Sequence, residues 1–148
     1  MKTAHSQEFV EAMLVLAPLL RKHQPLKDLG FIEICDWVAH YWNRGTISYL
    51  IDDDGEPRAV CLMKYFRNIR QFLEPHVHEP CGRMCMIELL VASEPVSMAA
   101  VCREQIARFG PQHVVMFDRG ERTENGAPRM YIWSKFMTLV RRLTYGSL

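Results

Sequence analysis

Gly-x-Ser-x-Gly, a phosphate-binding P-loop and a dinucleotide-binding glycine pattern are all missing from this chain, so the chemistries those motifs serve have no signature in it. Long apolar runs are missing too: the longest, 12–20, is too short to span a bilayer. The first residues, MKTAHSQE, do not follow the pattern of a signal peptide. Cysteine forms no framework; the five present are an odd number at irregular spacing, which fits a reducing cytosol better than secretion. Charge of one sign is also scarce. A formal net charge of +1 gives no whole-molecule attraction to nucleic acid or to an anionic membrane. Arg67, Arg70, Arg141 and Arg142 are the candidates for local basic patches. No internal repeat, low-complexity tract or linker interrupts the 148 residues, enough to bury a core without disulfides or metal. The expectation is a cytoplasmic protein of one domain.

What is present is a succession of short, well-punctuated elements. Phe9, Met13, Leu16 and Leu20 form one helical stripe over 6–22, with Ser6 as a cap and Pro18 predicting a kink or an end near Ala17. A second helix is predicted over 29–43, between Asp28 as cap and Gly45 as stop. Two β-rich runs, 46–51 and 58–66, flank Asp52-Asp53-Asp54-Gly55 and predict a hairpin. After a long connection, 67–83, helical in part around 68–73, come a strand over 84–92 and a helix over 94–109. Ser93 is the expected cap of that helix, Pro95 suits its first turn, and Gly110-Pro111 ends it. A strand at 113–117, a turn at Asn125-Gly126 and a returning strand over 129–136 follow, with 137–143 as a strand extension or a basic helical turn. The fold class expected is α+β: a mixed, mostly antiparallel sheet with flanking helices, 1–44 helical and 45–148 the sheet core, with a parallel crossover over 84–117.

Glu88 is the residue that the surrounding sequence makes conspicuous. It lies among Met84, Met86, Ile87, Leu89, Leu90 and Val91. A carboxylate in such a strand costs stability or needs a partner, and burial is how a carboxyl group becomes a base near neutral pH. Arg58 and Arg129 are candidate partners on neighbouring strands. Strict alternation would instead group Met86, Glu88 and Leu90 on one face and Ile87, Leu89 and Val91 on the other. A second cluster, His76, His78, Cys81 and Cys85, has the order H-x-H-x2-C-x3-C, a looser spacing than a zinc knuckle, and no metal is expected there. Trp37, Tyr41 and Trp42 are expected in the core, with a pocket wall or partner surface as the alternative. No cysteine lies at a glycine-flanked helix start that would make it a nucleophile.

The order of hairpin, strand, helix, strand and last antiparallel strand over about 45–135 resembles the GNAT acyltransferase superfamily. The resemblance implies that the strand 84–92 splays from its neighbour and opens a cleft for the pantetheine arm of acyl-CoA. Leu89, Leu90, Val91 and Ala92 would then position the thioester, and amides around Ser93, Val96 and Ser97 would receive its phosphates. It further implies Glu88 as base, Tyr131 as a general acid across the cleft, and an amine-bearing small molecule or protein as acceptor. Where the family carries a glycine-rich phosphate loop, this chain has 91–97 without glycine, and with Glu94 and Pro95. A narrower resemblance, to the RTX toxin-activating acyltransferases, rests on the helical N-terminal region, the hairpin at 47–63 and the acidic strand 86–89. It implies an acyl-carrier protein as donor and His23 as a catalytic histidine ahead of the hairpin. The alternative function is a non-catalytic interaction module on the same fold.

Overall fold

The computed structural model of the protein describes residues 5–74, 77–117 and 129–145. Its elements are α1 (Gln7–Leu20), α2 (Phe31–Arg44), β1 (Ile47–Ile51), β2 (Pro57–Phe66), β3 (Met84–Ala92), α3 (Pro95–Phe109), β4 (Val114–Phe117), β5 (Arg129–Ile132) and α4 (Trp133–Tyr145), with 3-10 turns at Gln24–Leu26 and Ile69–Leu73. The strands form one mixed sheet in the order β1-β2-β3-β4-β5. Only β3 and β4 run parallel, as the crossover through α3 requires; the other neighbours are antiparallel. The α+β class is thus the observed one.

Both faces of the sheet are covered. On one, Phe9, Met13, Leu16 and Leu20 of α1 and Ile34 and Val38 of α2 pack on Ile47, Val60, Leu62 and Leu89. On the other, Ala99, Val101 and Cys102 of α3 and Phe136 and Val140 of α4 pack on Ala59, Cys61, Met63, Tyr65, Cys85 and Ile87. β2 therefore alternates between two cores, which is why its run from Ala59 to Phe66 is buried throughout.

Local chemistry explains most element ends. Ser6 Oγ accepts from the Phe9 amide at 3.2 Å and starts α1. The expected stop near Ala17 does not occur, and α1 runs through Pro18 to Leu20. Pro18 lies in the last turn, where its missing N–H removes a single bond, and Leu19 and Leu20 are both buried. Gly45, at φ +70°, ends α2 as expected, but Gly30 rather than Asp28 occupies its N-cap. In the hairpin, Gly55 takes φ +82°, and Asp52 Oδ1 accepts from the amides of Asp54 at 3.0 Å and Glu56 at 2.9 Å.

Two expectations need correction. The strand predicted over 129–136 stops at Ile132, and a helix follows at once. Phe136, Val140 and the half-buried Trp133, Met137 and Leu143 make a helical stripe that packs under α3, and this burial outweighs the local strand tendency. The α3 cap is Glu94, not Ser93, whose amide instead donates to Arg58 O at 2.8 Å and prolongs the β2–β3 ladder. The turn expected at Asn125-Gly126 lies outside the described residues.

Candidate functional site

A cleft of about 750 Å³ opens on the α1–α2 face between α2, the chain around His5 and Ser6, Met63 and Lys64 of β2, Glu88 of β3, and Val77-His78. A break in the β2–β3 ladder places its central carboxylate. Leu62 pairs with Leu89 but Met63 pairs with Ile87, so Glu88 is the extra residue of a β-bulge. The bulge also overturns the predicted alternation. Leu89 and Val91 pack into the α1–α2 core, whereas Ile87, Leu90 and Ala92 pack into the α3–α4 core, although Ile87 and Leu89 are two positions apart.

Glu88 has a partner on β2, and it is not Arg58; the Arg129 side chain lies outside the described ones. Lys64 Nζ, on the adjoining strand, lies 3.1 Å from Glu88 Oε1 and donates to Glu74 O at 3.1 Å. The two side chains are 9 % and 16 % exposed, so each charge needs the other. Arg58 is taken by Asp52, at 2.7 Å from both Nε and Nη2. Through Glu74, which follows the turn Ile69–Leu73, Lys64 also ties the 67–83 connection to the cleft wall.

Around this pair the cleft is rich in histidine and aromatic rings. His5 Nε2 lies 2.9 Å from Asp36 Oδ1. His40 and Arg44, one turn apart on α2, are hydrogen-bonded through Nε2 and Nη1. His78 presents a buried Nδ1 that has no hydrogen-bond partner among the described residues, and burial first, then the Arg44 charge, hold its proton affinity below the usual histidine value. Trp37, Tyr41 and Trp42 line the cleft and also pack on the α1–α2 core; the rings of Trp37 and Tyr41 are 5.3 Å apart.

The candidates from sequence are not all brought together. Glu88 lies in the cleft. His23 precedes the 3-10 turn Gln24–Leu26 and is not among the residues lining the cleft. Tyr131 stands on the opposite face of the sheet, edge-on to Phe117 at 5.3 Å. β3 pairs with β4 from Met84 to Ile87, and with β2 along Leu89, Leu90, Val91 and Ala92. At the start of α3, Ser93 and Val96 are exposed and the buried Ser97 donates to Glu94 Oε1 at 3.3 Å. Of the H-x-H-x2-C-x3-C cluster, His76 lies outside the described residues, Cys81 is exposed, and Cys85 points into the α3–α4 core. Among the described residues no group of three or more His, Cys, Asp or Glu side chains could hold a metal ion.

Lys64, His40 and Arg44 were not singled out from sequence. Lys64 carried a usable signal, a lone charge in AVCLMKYF that mirrors Glu88 in MCMIELLV. The spacing of His40 and Arg44, four apart on one helix, was another. No family model matches the chain, and no curated protein matches it either.

Proposed function

We propose that the protein is a GNAT-like acyltransferase that moves an acyl group from a thioester, on CoA or on a carrier protein, to an amine. The observation that carries this reading is Glu88, a carboxylate set by a bulge into the wall of a large cleft and held there by Lys64. The order of β1 to β5 with α3 joining the parallel pair supports the fold half of the proposal.

The Glu88 carboxylate, paired with Lys64 through Oε1, is the group to take a proton from the acceptor ammonium, directly or through a water. The amine then attacks the thioester carbonyl carbon, the C–S bond breaks, and the thiolate leaves and is protonated. Leu89 to Ala92 are the stretch to position the thioester, and the start of α3 is its phosphate end. There, Pro95 lacks an N–H, and Glu94 puts a carboxylate where a phosphate would sit. This favours a carrier-protein thioester over free acyl-CoA as donor. Of the three catalytic candidates, only Glu88 enters the mechanism.

The test is thiol release from acyl-CoA and from acyl-carrier protein in the presence of an amine panel. Glu88→Gln is expected to lower turnover by about 10²- to 10⁴-fold with an unchanged melting temperature. Turnover that survives the substitution removes Glu88 as base. Absence of turnover and of binding with both donors replaces the enzyme by the interaction module, which the carboxylate at the α3 start also suits.

A further inference from the structure

The proposed transfer leaves unused a second group of side chains in the cleft, at the C-terminal turn of α2. We propose that Arg44, with His40 and His78 beside it, forms an oxyanion-binding corner that receives a carboxylate or phosphate group of the cleft's ligand. Arg44 touches His40 twice, at Nε2 and, at 3.5 Å, at the backbone carbonyl, both times through Nη1. Among the described residues its Nε–H and Nη2 hydrogens have no partner, and no carboxylate pairs with it. A guanidinium lining a cavity with donors to spare is the side chain best shaped for a planar or tetrahedral oxyanion. His78 adds the partnerless, buried Nδ1 on the facing segment.

A helix C-terminus ordinarily repels anions, but here the carbonyls are engaged. Tyr41 O accepts from Thr46, Trp42 O from Gly45, and Gly45 O from Arg108. The corner is proton-linked. His78 faces Arg44 and His40 from α2, Glu79 on its own segment, Lys64 and Glu88 across the cleft, and the Phe109 ring of α3. Burial and Arg44 lower its pKa from 6.5, and Glu79 opposes them. A bound anion cancels part of the Arg44 field, so binding takes up a proton and tightens as pH falls. On the acyltransferase reading, and this clause alone rests on it, the acceptor is an amine that also carries an oxyanion.

The test titrates inorganic phosphate and acetate into the whole chain and follows the imidazole resonances of His40 and His78 by NMR. Saturable shifts at both rings are expected. Arg44→Gln should weaken phosphate by at least about tenfold at an unchanged melting temperature, with Arg44→Lys partly restoring it. Acetate, whose charge is constant over the range, should bind about threefold more tightly or better at about pH 6 than at about pH 8. Should Arg44→Gln not fold, His78→Asn must abolish the pH dependence. Shifts that never saturate, phosphate binding indifferent to Arg44→Gln, or acetate binding indifferent to pH would each overturn the corner. None of these measurements requires turnover, so the corner and the transfer reading fail separately.

Discussion

Lys64 is the one charge of 59–66 and Glu88 the one charge of β3, and the two lie 3.1 Å apart. Lys64→Met should therefore destabilise the fold by about 3 kcal/mol in urea unfolding, because it takes an ion-pair partner from a largely buried carboxylate. The double change Lys64→Met with Glu88→Leu should recover most of that loss; an additive double mutant would refute the coupling. Asp52 offers a pH test. The Glu56 amide first, then Arg58 and the Asp54 amide, hold its carboxyl below the usual aspartate value of 3.8, against an opposing desolvation effect second only to that of the Glu56 amide. A depressed folded pKa means stability that is present above the unfolded value and lost as pH falls through the folded one. Carboxyl NMR should show Asp52 titrating below the usual aspartate value, and Asp52→Asn should flatten acid unfolding of the hairpin. That Glu88 needs a partner was legible in its neighbours. Which partner was not, because strand register decides it and register is settled by packing.

At the scale of the element, the hairpin, β3 and α3 were readable almost to the residue, since turn chemistry and capping are local. The 129–145 stretch was not. MYIWSKFM alternates well enough for a strand, and only contact with α3 selects the helix from Trp133. The bulge was equally hidden, for no residue type announces which member of a ladder will be skipped. Gly82 is a third such case: a Cβ there would stand 2.7 Å from the Phe66 carbonyl carbon. Its amide donates to Glu79 O at 2.8 Å, and the Glu79 amide donates to Tyr65 O at 3.0 Å, which straps the 77–82 segment to the end of β2. Gly82→Ala should cost about 2 kcal/mol or more, measured by thermal melting, and should loosen the His78 side of the cleft. A neutral Gly82→Ala would mean that the strap yields.

The whole molecule is two helical layers sharing one sheet, and β2 contributes alternate side chains to both cores. Neither layer can leave without exposing the strand that the other covers, so unfolding should be a single transition. The three tryptophans make this measurable: Trp37 and Trp42 pack against the α1–α2 core, Trp133 against the α3–α4 core. In a variant that retains Trp42 alone and in one that retains Trp133 alone, the tryptophan melt should coincide with that variant's own far-UV melt; a separation within either would show the layers to be independent. The sheet carries one further implication, for inheritance. Eight residues of β2, from Ala59 to Phe66, are matched by nine of β3, from Met84 to Ala92. The supernumerary one is Glu88. A single-codon deletion there would leave Ile87, Leu89, Leu90, Val91 and Ala92 on the faces they now occupy, in a regular ladder, with the Lys64-paired carboxylate gone from the cleft. Scaffold and site can thus be gained or lost independently in a lineage, and the strand on either side would keep little trace of the exchange.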